Sequence, residues 1–473
     1  MASPNISFDS IPSSIRKPGK YFEFNTRLAV RTLPGNLQKM LIVGQRLAAG
    51  TVVAGVATEV FSDRDAATYF GRGSMLHRMC TAAIKAYPYL ALTAIAVDDA
   101  GGSAAATSTV TITGTASASG VLTLKIGDLS IELAVSSGDA QNTVAAALKA
   151  LIDKNPDLAV TAAVVSNVIT LTARNKGTQG NELKVSAASA AAGVTVVATQ
   201  PSGGSGDPDI TSTLAAVYAA GHHIIVTPYN VQASLTILRT HLDSVSGPME
   251  QRGAIGVYAS TGTLANATTL AGQINSGRIA GALVPGSLTP SYEIAAAFGA
   301  VIASEEDPAR PLNTLALTGV NPPPLASRLS RTEQESALYN GVTPFEVGPG
   351  DKVQIVRAIT TYTKDPQGID DISLLDLTTI RTLDYVRKAV RERIALRFPR
   401  EKLSDKTPPK VRSEILDVLT KMEELEIVEQ VEANKPGLIV ERDSQDPNRL
   451  NAKIPTDVVN GLHVFAGRID LLL

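Results

Sequence analysis

"HHIIVTP" (222–228), "GAIGVYAS" (253–260) and "GRIAGALVPG" (277–286) are three runs of small and β-branched apolar residues, each bounded by Gly, Pro or a polar turn. None alternates polar with apolar, so each reads as a strand buried on both faces. "VQASLTILRTHLDSV" (231–245) and "YEIAAAFGAVIASEE" (292–306) flank them with helical periodicity. Strands alternating with helices predict an α/β fold with a mostly parallel sheet. The same grammar occurs upstream. "KMLIVG" (39–44) and "LALTAIAV" (90–97) read as further buried strands, separated by helices that begin at the capping pattern Ser62-x-x-Asp65 and around Ser74.

Between Tyr89 and Tyr218 the composition changes: no aromatic, His or Met occurs, and Ala, Ser, Thr, Val and Gly dominate. "STVTITGTAS", "VLTLKIGDLSIELAV" with a Gly127-Asp128 turn, "AVTAAVVSNVITLTA" and "GVTVVATQ" read as strands and hairpins, and "TVAAALKALIDKN" as a helix. The edges "DDAGGSAAA" and "PSGGSGDPD" have the composition of flexible linkers. A β-rich domain inserted at 99–208 therefore interrupts the α/β core, and its composition, unlike that of the core, marks it as peripheral.

The last third is different again. After "NPPPLASR" come a capping box at Ser330-x-x-Glu333, a long strand "KVQIVRAITTYT", a helix from Leu377 to Arg397, a second from Pro408 to Glu426, and terminal strands. From Asp376 to Lys402 eight basic residues, among them Arg387, Lys388 and Arg391, stand against four acids. From Ser413 to Glu432 seven acids, among them Glu423, Glu424 and Glu426, stand against Lys421 alone. Opposed charged surfaces on one chain suggest copies that meet each other, although pairing within one chain and solvated faces are the alternatives. The fold class is thus multidomain α/β: core in two parts (37–98 and 209–325), insert (99–208), C-terminal α+β assembly domain (326–450), and arms at 1–36 and 451–473.

The N-terminal arm, "ISFDSIPSSIRKPGKYFEFNTRLAV" (6–30), has strand alternation, a Lys17-Pro18-Gly19 breaker and three clustered aromatics, Tyr21, Phe22 and Phe24. Such a segment needs a partner for its aromatics, on its own chain or on another.

The 473 residues predict about three domains. A net charge of −2 gives no global pull toward nucleic acid, and the single Cys80 forms no internal disulfide. The N-terminus lacks the features of a secretory signal, and no apolar run reaches the ~18 residues of a membrane span. These features point to a soluble protein made in the cytosol with no membrane contact.

Motifs for chemistry are scarce. "GRGSML" carries Gly71 and Gly73 without the third glycine of a dinucleotide loop, and no phosphate loop, zinc-protease or serine-hydrolase motif occurs. His222 and His223 lack a third ligand at metal spacing and read as a strand-end pair. Asp98-Asp99 and Asp370-Asp371 read as solvated turn carboxylates, and Cys80 as a small buried hydrophobe. The basic helix lacks stacking aromatics beyond Tyr385, which disfavours nucleic acid. No catalytic, cofactor-binding or metal-binding residue is assigned.

The ordered segments "ISFDSIP" (6–12), "QKMLIVGQRLAAGT" (38–51), "DAATYFGRGSMLHRMCTAAIKA" (65–86), "VQIVRAITTYTKDPQGIDDISLLDLTTIRTLDYVRKAVRERI" (353–394) and "DPNRLNAKIPTDVVNGLHVFAGRIDLLL" (446–473) resemble the tail sheath proteins of contractile-tailed phages, most closely the Mu-like group. The resemblance covers nearly all of the chain except 99–208. It implies a structural protein of the virion, assembled in the host cytoplasm, and not an enzyme. Six copies would form a ring around the tail tube protein, rings would stack helically between baseplate and tail terminator proteins, and the stack would contract to drive the tube through a host envelope. It also implies that the N-terminal arm and the closing segment, with Val464 and Phe465, lend strands to neighbouring copies. Two rivals remain at the level of sequence: the sheath of a phage-derived injection particle, and an α/β enzyme with a scattered site.

Overall fold

In the computed structural model, residues 14–22 and 33–472 are described. Phe24 lies outside them, as does most of the stretch 6–30.

The first part of the core contributes β1 (Lys39–Gln45), β2 (Ala57–Glu59), α1 (Asp63–Phe70), α2 (Met75–Ala86) and β3 (Ala91–Val97). Ser62 Oγ accepts from the Asp65 amide and Ser74 Oγ from the His77 amide, so each helix starts at its expected cap. The insert follows with β4 (Thr107–Thr113), β5 (Gly120–Ile126), β6 (Leu129–Val135), α3 (Gln141–Asp153), β7 (Val160–Val165), β8 (Val168–Ala173), a 3-10 turn at Thr178–Glu182, β9 (Val185–Ser189) and β10 (Thr195–Ala198). The core resumes with α4 (Thr211–Ala216), β11 (Ile224–Val226), α5 (Gln232–Val245), β12 (Ile255–Ser260), α6 (Leu264–Ile274), β13 (Ile279–Leu283), α7 (Ser291–Ser304), α8 (Arg331–Tyr339), β14 (Thr343–Gly348) and β15 (Lys352–Ile355). α9 (Leu377–Arg397), α10 (Thr407–Glu424), β16 (Val428–Glu429), α11 (Val431–Asn434), β17 (Ile439–Arg442), β18 (Leu450–Lys453) and β19 (Asp457–Val458) complete the chain.

The core sheet runs β15-β14-β13-β12-β11-β1-β3-β2, parallel from β14 to β3 and antiparallel at both edges. Alternate residues of each strand feed opposite faces. Met40, Ile42, Ala94, Val226 and Val257 face α2 and α7, whereas Leu41, Val43, Ile95, Ile225 and Tyr258 face α4 and α5. This two-sided burial is why the strands lack polar alternation. α7 lies close on the sheet because Gly299 has no side chain: a Cβ there would come within 2.6 Å of Val226 Cγ2.

β14 and β15, expected in the C-terminal unit, instead complete the core sheet. The long strand expected at "KVQIVRAITTYT" stops at Ile355. Beyond it the chain stays buried, but its hydrogen bonds leave the ladder. The Ile359 amide donates to Thr343 Oγ1, Thr360 to the Leu375 carbonyl and Thr361 to the Ile279 carbonyl.

The insert packs two sheets, β10-β4-β8-β7 and β6-β5-β9, with α3 around their own aliphatic core. Its edges are not the flexible linkers expected from composition. Ala104 and Ser205 exchange both backbone hydrogen bonds, and Asp207 accepts from Thr178 N and Oγ1 at 2.7 and 2.5 Å. Small residues here let the two strands of the connection run side by side.

α9 belongs to two cores. Leu377 and Ile380 pack in the sheet's cluster, while Tyr385, Val386 and Ala389 pack with Val411, Ile415, Val418 and Met422 of the C-terminal unit. The bidentate pair Arg278–Asp384, at 2.7 and 3.1 Å, fixes the helix against the core.

Candidate assembly surfaces

An open parallel sheet binds ligands at the carboxyl ends of its strands, where the strand order reverses. Here that point lies between β1 and β11. Gln45, the last residue of β1, donates to Asp99 Oδ1 at 2.6 Å and the Lys176 carbonyl at 2.8 Å. Asn230, just after β11, donates to Glu182 Oε1 at 2.7 Å and accepts from Gln179 Nε2 at 3.1 Å. Burial raises the Glu182 carboxyl above its ordinary range. The insert's 3-10 turn therefore fills the crevice that would otherwise invite a cofactor. Asp99 is a tether between core and insert, bonded to Gln45 and Asn175, and not a solvated turn carboxylate as expected; Asp98 pairs with Arg46 at 2.7 Å.

The other single residues have structural roles. Cys80 is fully buried, and burial pushes its thiol up, away from a reactive thiolate. His223 Nδ1 accepts the Lys39 amide at 3.1 Å, and desolvation pulls both His222 and His223 down to about 4, so both are neutral at pH 7. Asp371 accepts from the Tyr362 hydroxyl and is held below the usual carboxylate range by it. Among the described residues, no group of three His, Cys, Asp or Glu side chains is placed to hold a metal ion, and no helix is long and apolar enough to cross a membrane.

The charged helices meet within the chain, through residues other than those singled out from the sequence. Arg393 and Arg397 on α9 reach Glu414 and Asp417 on α10. Of the basic residues named from the sequence, Arg387 donates to the Ser246 carbonyl and Asp384, half-buried Lys388 to the Gly35 carbonyl at 2.8 Å, and exposed Arg391 to Gln251. Glu423 accepts from the Val431 amide, whereas Glu424 and Glu426 are exposed. Sequence spacing gave no sign of which basic residue finds which acid, because a turn separates the two helices.

Among the described residues, the segments near both chain ends carry exposed apolar side chains. β18 pairs with β17, and β19 with β16, each an isolated two-stranded ribbon. Past Val458 no further strand forms among the described residues, and Leu462, Val464, Phe465, Ile469, Leu471 and Leu472 are all exposed, Phe465 at 87% and Ile469 at 98%. His463 anchors the base of this tail through Asn313 at 2.9 Å. At the other end Tyr21 folds its hydroxyl onto the Lys17 carbonyl, and Phe22 is 86% exposed.

The β-sandwich domain of phage tail sheath proteins matches residues 100–205, their central domain 203–361 and their C-terminal domain 370–471. The Mu-like prophage FluMu tail sheath protein of Haemophilus influenzae is 36% identical over 99% of this chain and all of its own length. Among solved structures, the sheath tail protein of Desulfitobacterium hafniense is similar with a TM-score of 0.52 at 15% identity, over 94% of this chain and 97% of its own. A chain of the anti-feeding prophage baseplate is similar with a TM-score of 0.51 at 13% identity, over 97% of this chain and all of its own. The two solved structures share the fold. The domain matches and the end-to-end relative show that the chain belongs to the phage tail sheath proteins, a structural family and not an enzyme family.

Proposed function

We propose that the chain is the repeating unit of a contractile sheath in the virion, assembling in the host cytoplasm as hexameric rings stacked around a tail tube protein. A baseplate would lie at one end and a tail terminator at the other, and shortening of the stack would drive the tube through the host envelope. The observation that carries this reading is the exposed apolar tail 462–472. A large apolar side chain left in water forgoes roughly 1.5–3 kcal/mol. Six of them on an unpaired segment call for a receiving surface. The open edges of the two C-terminal ribbons suit strand addition. Exposed Tyr21 and Phe22 begin a second such segment at the other end, and the sequence has Phe24 two residues further on. A head-to-tail contact that does not close on itself generates a helix of subunits. Strand addition through a tether also lets domains move as bodies while subunits stay linked.

Arg387, Lys388 and Arg391 form a second contact with Glu423, Glu424 and Glu426 of an adjacent copy. Exposed Arg391, Glu424 and Glu426 support it. Each exposed pair contributes only ~0–1 kcal/mol, so repetition along the polymer would carry the effect. Electron microscopy of the purified chain tests the proposal: striated tubes or rings are expected, and a monomer at every concentration and salt would overturn it.

A further inference from the structure

At the amino ends of the parallel strands, on the opposite side of the sheet from the filled crevice, lies a cleft of about 220 Å³. The starts of β1, β11 and β12 form its floor, and α9 forms one wall. Arg381, Asp384, Lys388 and Arg391 line it from that helix at the three- and four-residue spacings of one face.

The charges around the cleft do not balance. Arg381 is 6% exposed, its Nη2 donates to the Glu305 carbonyl, and its Nη1 has no partner. Burial lowers this guanidinium to about 10. Lys388 bonds the Gly35 carbonyl and Arg391 the oxygens of Gln251, all of them neutral. Arg252, also on the wall, has Glu250 at 2.8 Å. The carboxylate of Asp384 is already committed to Arg278 and Arg387. His223 adds a donor: its Nδ1 accepts the Lys39 amide, so the neutral ring carries its proton on Nε2.

A buried guanidinium nitrogen without a partner is costly even with Glu305 and Asp307 nearby, and an anion held between it, half-buried Lys388 and exposed Arg391 removes that cost. We infer that this cleft binds an oxyanion group, a phosphate or a carboxylate, between Arg381, Lys388 and Arg391. The volume admits a free inorganic oxyanion or the tip of an acidic side chain from a second copy of this chain. The inference stands on the cleft itself and not on the polymer.

Calorimetric titration of the full chain with inorganic phosphate, at constant ionic strength against chloride, tests it. Saturable binding is expected, weakened about tenfold or more in K388Q/R391Q by loss of charge-assisted contacts. The exposed, distant K352Q should bind as the parent does, and circular dichroism should show all three chains equally folded. If a free oxyanion is the ligand, phosphate leaves polymer formation unchanged, and Lys388 and Arg391 then do not contact a neighbour's glutamates. If a neighbour's carboxylate is, phosphate slows polymer formation in proportion to occupancy. Absence of saturable phosphate binding, or equal binding by the parent and K388Q/R391Q, would overturn the inference.

Discussion

Arg393 Nη1 lies 2.6 Å from Asp417 Oδ2 and 3.1 Å from Glu414 Oε2, with the arginine side chain only 4% exposed. This buried bridge joins the basic and acidic helices inside one chain. Arg393→Met would leave two half-buried carboxylates without their main cation. The expected loss is about 2–3 kcal/mol, below the full cost of breaking a buried pair because Arg397 and Lys421 remain nearby. Urea denaturation of the unassembled chain measures it, and a change under about 0.5 kcal/mol would show that the bridge contributes little.

Replacing residues 100–206 with two glycines should leave a folded core. The ends already meet, since a Cβ on Gly206 would lie 3.0 Å from Ser103 Cα. Gln45 would lose the Lys176 carbonyl, and Asn230 would lose Gln179 and Glu182, at roughly 1 kcal/mol per hydrogen bond. The melting transition should therefore remain cooperative but move down. An insoluble product would mean that the insert is part of the core's folding unit and not a domain docked upon it.

His222 and His223 make stability depend on acid. Desolvation, helped by Lys39 for both and by Lys388 for His223, lowers each to about 4 in the folded chain, against about 6.5 unfolded. Between those values the unfolded chain binds more protons. The contribution is complete above pH 6.5 and is lost as pH falls toward 4. At about 1.4 kcal/mol per unit, the pair should cost the fold a few kcal/mol across that window. His223→Asn keeps an acceptor for the Lys39 amide and should flatten the slope; an unchanged slope would assign it to carboxylates instead.

The sheet was legible because β1, β12 and β13 are buried on both faces, a condition that leaves an uninterrupted apolar run. α9 was legible from Leu377 to Arg397 because no Gly or Pro interrupts its twenty-one residues. β9, "VSAAS", carried no signal: small residues serve a half-buried strand and a loop equally. The connections of the insert were misread because glycine and serine suit both a flexible linker and the close backbone pairing of Ala104 with Ser205. The filled crevice was illegible for a different reason, since Gln45, Gln179 and Asn230 come from distant segments and carry no spacing. The resemblance implied that Val464 and Phe465 lend a strand to a neighbouring copy, whereas "LHVFAGRIDLLL" by itself reads only as a terminal strand, which the single chain does not form.

The central claim is that the free ends link copies into a polymer, and a chain ending at His463 tests it most directly. It keeps the contact of His463 with Asn313 and removes Val464, Phe465 and the leucines beyond them. Sedimentation and electron microscopy of this chain beside the full one should show tubes or rings from the full chain. The shortened one should give folded monomers with an unchanged melting transition. Tubes of normal appearance from the shortened chain would contradict the account.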